Sequence, residues 1–152
     1  MSNYQNGDFS TKYGTVTVRN PGRVEAPPNL QTYVQTSQRH IVLQGPALRA
    51  FKAAELRITP RRDRRKGKVR HILVTGVGYR SYALQKSLYE NSDQPGRYAN
   101  PDGSLHTEAL AIDVDSGQST YRKAQIRRAL IAEGWFYGVS GEPWHASFRL
   151  SG

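Results

Sequence analysis

Apolar positions in this chain come in short groups separated by long polar stretches, and the spacing within each group predicts an element. Residues 1 to 40 are polar and turn-rich, with Asn20-Pro21-Gly22 and Ala26-Pro27-Pro28-Asn29 as turn signals. Within them only Thr15 to Val18 alternates like a strand, which Tyr13 could extend. Gly45-Pro46 opens a helical pattern to about Arg57, with Leu48, Phe51 and Ala54 or Glu55 near one face. His71 to Val77 reads as a buried strand. A helix follows from a Ser81 cap to about Glu90, with Tyr82, Leu84, Leu88 and Tyr89 on its apolar side. Asn91 to Gly103 is a loop, with turns at Pro95-Gly96 and Pro101-Asp102-Gly103.

A second strand spans Ala109 to Asp115. Ser119 or Thr120 then caps a helix from Tyr121 to Glu133, with Ala124, Ala129, Leu130 and Ile131 as buried positions and Gly134 as the residue just past its end. Trp135 to Tyr137 and Trp144 to Leu150 are two further strands joined by a turn over Gly138 to Gly141. Helices interspersed with short strands and a terminal hairpin predict an α+β fold: a small, mainly antiparallel sheet flanked by helices, with an irregular N-terminal arm. The domain organisation expected is an arm over 1–40 and one domain over 41–152.

Composition narrows the chemistry. The 152 residues contain no cysteine, so disulfides and thiolate metal sites are excluded, and any metal must bind through His, Asp or Glu. No apolar run reaches membrane-spanning length, and the first twenty residues hold no apolar segment of a secretory signal, so synthesis in a cytoplasm is expected. The net charge of +10 draws the protein to polyanions. Six of the eight residues from Arg61 to Lys68 are basic, a run that reads as a solvated loop. That run suggests a rival reading as a nucleic-acid-binding protein, but no aromatic-interleaved basic motif accompanies it.

Two of the four histidines fall in stretches that also carry carboxylates. One is Ser104-Leu105-His106-Thr107-Glu108-Ala109-Leu110-Ala111-Ile112-Asp113, and the other is Glu142-Pro143-Trp144-His145. Two imidazoles, one carboxylate ligand and one further carboxylate form the inventory of a catalytic zinc site with an open position for water. On the strand, period two places Ala111, Asp113 and Asp115 on one face, where the small alanine leaves room for an ion. Strand geometry alone would put Glu142 and His145 on opposite faces, so the chain must bend near Pro143. Glu142 is then placed as general base over the water, and Arg80 as the cation for an oxyanion.

These residues resemble the zinc D-alanyl-D-alanine peptidases of the VanX/VanY type, a family that includes L-alanyl-D-glutamate endopeptidases and bacteriophage endolysins. The likeness rests on Ser104, His106 and Asp113, on Glu142 to His145, on Gly78-Tyr79-Arg80-Ser81 with Gln85, and on Gly134-Trp135. It covers about residues 45 to 150. The resemblance implies that His106, Asp113 and His145 bind Zn2+ and that Glu142 is the base. It also implies that Arg80 contacts substrate or oxyanion, and that Ser104, Gln85, Ser81 and Trp144 position a peptide. One departure is Ala109, where the family usually has glycine.

The stretches Pro95 to Ala99 and Ile126 to Leu130 look most like endolysins of phages that infect mycobacteria and their relatives. The expected function is thus hydrolysis of an amide bond in the peptide stem of bacterial peptidoglycan, as a carboxypeptidase or an endopeptidase. The enzyme would reach the wall after phage-mediated release or aboard a virion, with residues 1–40 contacting other virion proteins. A structural phage component with a vestigial zinc site is the remaining alternative.

Overall fold

The computed structural model describes residues 6–19, 25–94, 97–99 and 103–150. The turns expected at Asn20-Pro21-Gly22, Pro95-Gly96 and Pro101-Asp102 lie outside these residues. Among the described residues the chain runs β1 (Gly7–Thr11), β2 (Gly14–Val18), β3 (Leu30–Thr36), β4 (Arg39–Gln44), α1 (Gly45–Ile58), α2 (Arg61–Arg65), β5 (Val74–Thr75), α3 (Tyr82–Asn91), β6 (Ala111–Val114), α4 (Thr120–Ala132), β7 (Trp135–Phe136) and β8 (His145–Phe148). Strands β5, β6, β8 and β7 form one sheet in that order, with every neighbouring pair antiparallel. The α+β class and antiparallel sheet are those the hydrophobic pattern predicts.

Helix α1 packs on α4 and on the hairpin strands β2, β3 and β4. Its buried side follows from helical period: Leu48, Phe51, Ala54, Glu55 and Ile58 recur at three- and four-residue steps. In α4 the same rule selects Ile126, Ala129 and Leu130, whereas Ile131 is about half exposed. In the same core Trp135 and Phe148 pack together, with ring centroids 5.4 Å apart and planes tilted by 60°. Each such fully buried large side chain stabilises the fold by about 1.5–3 kcal/mol. Gly134 ends α4 in the left-handed region at φ 96°, with its N–H on the Ile131 carbonyl, as expected of a residue following a helix.

Four expectations are corrected. Helix α3 has no buried apolar stripe: Leu84 and Tyr89 are close to half exposed, and its one buried residue is Gln85. The strand over 71–77 pairs only at Val74 and Thr75, because Gly76 and Gly78 at positive φ turn the chain out of the sheet. The basic run is not a loop throughout, since Arg61–Arg65 is a short exposed helix. The N-terminal forty residues are not irregular where described: they supply hairpin β1–β2 and strand β3, and the boundary placed at residue 40 falls within hairpin β3–β4.

Both hairpins dock through polar contacts to buried carboxylates as well as through apolar packing. Val16 and Val18 enter the main core. Beside them the Tyr13 hydroxyl and the Arg57 guanidinium both donate to Glu133, whose side chain is 5% exposed. In the second hairpin, Glu55 accepts from Tyr33 Oη at 2.5 Å, Gln35 Nε2 at 2.8 Å and the Ile72 N–H at 2.9 Å. Polar residues that look like a solvated tail in sequence are thus the anchors.

Burial raises the Glu133 pKa, but the hydrogen bonds from Tyr13 and Arg57 outweigh it and hold the carboxyl below its ordinary range. Burial, and then the hydrogen bond to Glu133, push Tyr13 up to about 12. A depressed carboxylate stabilises the fold above its unfolded pKa and loses that contribution as pH falls through the folded value. Glu133→Gln is therefore expected to lower stability by about 1 kcal/mol at pH 7. Thermal melts as a function of pH should show the gap between parent and variant closing as pH falls below about 4; a gap that stays constant down to pH 3 would contradict the linkage.

Candidate active site

His106 is carried by a hydrogen-bonded turn from Ser104 to Leu110. Ser104 Oγ accepts from the His106 N–H at 3.2 Å, and Thr107 Oγ1 donates to the Ser104 carbonyl at 2.7 Å. The turn closes with Ala109 N–H on the His106 carbonyl and Leu110 N–H on the Leu105 carbonyl. That pair of bonds is a Schellman termination, which requires a left-handed residue where Ala109 stands. Ala109 is indeed at φ 57° and fully buried. The glycine usual in the resembling family thus has a conformational reason, and alanine adopts the same turn. Arg80 N–H donates to the His106 carbonyl, and Gln44 N–H to the Ala109 carbonyl, so the turn is tied to both neighbouring segments.

Asp113 and His145 meet through strand register. They are directly opposed across the β6–β8 pair, as are Ala111 and Ser147. Period two then places Ala111, Asp113, His145 and Ser147 on one face. The bend expected at Pro143 is present: the His145 N–H bonds back to the Glu142 carbonyl at 3.1 Å, closing a turn with proline at its second position. This turn lets Glu142 and His145 approach each other from one side, with Glu142 Oε1 4.0 Å from His145 Nδ1.

The ligand atoms of His106, Asp113 and His145 lie within 4.8 Å of one another. Asp113 Oδ1 is 3.3 Å from His106 Nε2 and 3.2 Å from His145 Nδ1. Donors bound tetrahedrally at the lengths typical of zinc stand about 3.4 Å apart, and the two separations from Asp113 match that spacing. The remaining ring nitrogens are also engaged. His106 Nδ1 is 2.8 Å from the Gly78 carbonyl, and His145 Nε2 is 2.9 Å from Ser147 Oγ. An oxygen acceptor on one nitrogen holds the proton there and leaves the other nitrogen free to bind a cation.

Asp113 Oδ2 accepts from Arg80 Nη2 at 3.0 Å, and Arg80 Nη1 donates to Gln85 Oε1 at 3.1 Å. Burial raises the Asp113 pKa, yet the hydrogen bonds and positive potential of the two histidines prevail and hold the carboxyl far below the usual range. It is a carboxylate at any physiological pH and available as a ligand.

These residues form one wall of a cleft of about 440 Å³. Ser104, Gln85, Glu142 and Trp144 also line it, with Trp144 40% exposed at the rim. Arg97, Tyr98 and Val139 line it too and were not anticipated. Gln85 Nε2 donates to the Ala99 carbonyl at 2.7 Å, so this buried side chain pins the 97–99 segment to Arg80. Ser81 is a correction. Its hydroxyl accepts from Leu84 N–H as the cap of α3, and it is absent from the cleft wall. The partners missed in sequence are Ser147 and the Gly78 carbonyl. Ser147 was findable, because it lies two residues from His145 on the same strand face.

Sequence comparison finds no matching protein-family description and no matching curated protein. Solved structures do match. The LdcB LD-carboxypeptidase, determined to reveal the molecular basis of peptidoglycan recognition, superposes with a TM-score of 0.53 at 22% identity, over 82% of this chain and 69% of that one. VanYB in complex with D-alanine-D-alanine gives 0.52 at 19% identity, over 84% and 80%. DacB from Streptococcus pneumoniae D39 gives 0.51 at 19%, over 97% and 83%. The chain has the VanY-like peptidase fold. Within that fold, its own histidine-bearing turn and β6–β8 pair converge on the cleft wall.

The left-handed Ala109 gives a direct test of the turn. Replacing it by glycine removes about 1–2 kcal/mol of backbone strain, but gives up about 0.8 kcal/mol of buried methyl and about 0.5–1 kcal/mol of chain entropy. Ala109→Gly should therefore lie within about 1 kcal/mol of the parent in urea denaturation, whereas Ala109→Val should lose about 2 kcal/mol or more. A fully stable valine variant would show that the turn is not as described.

Proposed function

We propose that this protein is a zinc-dependent peptidase that hydrolyses an amide bond in the peptide stem of bacterial peptidoglycan. The observation that carries the reading is the set of three donors within 4.8 Å of one another in a cleft wall, with a second carboxylate, that of Glu142, 4.0 Å from one of them. Two imidazoles and one carboxylate would hold the zinc, with no thiolate available. When bound, the ion supplies a Lewis acid and brings the pKa of a coordinated water toward 7.

The chain's own residues then have separable tasks. Glu142 takes the proton released as water attacks the amide carbonyl, and returns it to the departing nitrogen. Arg80 orients Asp113 through Nη2 and is oriented by Gln85 through Nη1. These two contacts use two of its five side-chain donors, and the others are the ones able to serve an oxyanion. Ser104 secures the His106 turn and shares the cleft wall with Trp144, whose ring offers an apolar surface to the peptide. The stem-peptide substrate draws support from the VanY-like fold and from the D-alanine-D-alanine carried by VanYB. The sequence stretches Pro95 to Ala99 and Ile126 to Leu130 support a phage lysis or virion-associated enzyme within this reading.

Glu142→Gln should retain zinc at the parent stoichiometry, by metal analysis, while hydrolysis falls by about 10²–10⁴-fold. His106→Ala should lose both metal and activity. Mass spectrometry of digested peptidoglycan should show stem-peptide fragments, whose masses assign the bond cut. Parent-level cleavage by Glu142→Gln would refute the base assignment, and intact peptidoglycan after digestion by zinc-loaded parent would refute the enzyme.

A further inference from the structure

The peptidase reading leaves the basic run unused, and the structure gives that run a definite form. Arg61, Arg62, Arg64, Arg65, Lys66 and Lys68 are all exposed. With the single acid Asp63, the segment carries a net +5, half of the charge of the whole chain, on eight residues. Among the described residues none of the six cations forms an ion pair. They are nonetheless held in order. Asp63 and Arg64 N–H groups bond to the Pro60 carbonyl, starting α2. At the other end Gly67 N–H bonds to Arg64 and Lys68 N–H to Asp63, with Gly67 at φ 71°. This Schellman closure folds Lys68 back against the helix.

Such an arrangement opposes local electrostatics. Arg61 has like charges three and four residues on, at Arg64 and Arg65, and Arg62 has Arg65 and Lys66, spacings at which like charges repel. Arginine at the start of a helix also faces the positive end of its dipole. Four exposed guanidiniums on one short helix, among the described residues without an ion pair, favour a multivalent anion that offsets their repulsion. Planar two-pronged donors suit phosphate better than the point charge of lysine would. The segment from Arg61 to Arg70 contains no aromatic side chain to stack on a base. The helix is five residues long, about 7.5 Å, too short to lie along a nucleic-acid groove. Nor does the cleft use it: α1, about 21 Å long at 14 residues, separates α2 from the Gln44–Ala109 contact beside the His106 turn.

We propose that α2 and its closing turn bind a flexible phosphodiester polymer of the bacterial cell surface, retaining the enzyme on the wall while the separate cleft works. The choice of a phosphodiester wall polymer rests on the peptidase reading; the anion binding rests on the exposed, unpaired cations alone. Retention of this kind is electrostatic and is released by salt, with a slope of log K against log salt of about −3 for four phosphate contacts.

The test titrates the full chain and R61Q/R62Q/R64Q/R65Q with poly(glycerol phosphate), with polygalacturonate of matched charge and with duplex DNA at the same phosphate concentration. Hydrolysis of a soluble stem peptide is measured in parallel. Expected are binding of the phosphate polymer at least tenfold tighter than that of the carboxylate polymer, at least tenfold weaker binding by the variant, and unchanged peptide hydrolysis. Thermal melts confirm that the exposed substitutions leave the fold intact. Equal binding by parent and variant, or equal binding of the two polymers, overturns the proposal. So does displacement of most of the bound polymer by DNA, which would make nucleic acid the ligand. A parent that binds the polymer through these arginines but cleaves no stem peptide refutes the peptidase reading and leaves the phosphate surface standing.

Discussion

One buried carboxylate organises the cleft wall. Asp113 lies in mid-strand with a side chain only 13% exposed, and an unpaired charge there would cost several kcal/mol. That is a large part of the 5–15 kcal/mol that holds an ordinary domain together. The fold meets this constraint by bringing three cationic or cation-accepting groups to it: His106 and His145 on one oxygen, Arg80 on the other. Each arrives by a separate route. His145 comes by strand register, His106 by a hydrogen-bonded turn closed at a strained alanine, and Arg80 by a segment whose N–H also holds the His106 carbonyl. The geometry that satisfies Asp113 is also the geometry that suits a divalent ion.

The same principle recurs away from the cleft. Glu55 and Glu133 are buried carboxylates surrounded by donors from the N-terminal hairpins and their neighbours. Several of the chain's twelve acids are thus drawn inside, while among the described residues no lysine or arginine is buried. An excess of +10 in composition becomes a still more basic surface in the fold, most concentrated at α2. Stability and surface charge have one origin here.

Local signals in the sequence carried far. The face shared by Ala111 and Asp113 followed from period two, and the turn at Pro143 followed from the need to bring Glu142 and His145 to one side. Helix α1 was legible from three- and four-residue steps. What stayed hidden depends on partners distant in sequence. Tyr13, Tyr33 and Gln35 look like a polar tail until Glu133 and Glu55 are placed opposite them, 120, 22 and 20 residues away. Arg80 was legible as a cation for an oxyanion, but its pairing with Asp113 was not, because Asp113 is 33 residues off. Helix α3 misled for a different reason: Leu84 and Tyr89 are exposed, Tyr82 and Leu88 only partly buried, and its one fully buried residue is a glutamine.

A crystal of the protein grown with zinc and measured at the zinc absorption edge would test whether the cleft holds a ready divalent-ion site. One anomalous peak is expected in the cleft, about 2.0–2.2 Å from His106 Nε2, an Asp113 oxygen and His145 Nδ1, with Glu142 off the metal. A peak elsewhere, or an ion bound through His106 Nδ1 or by Glu142 in place of Asp113, would contradict this site.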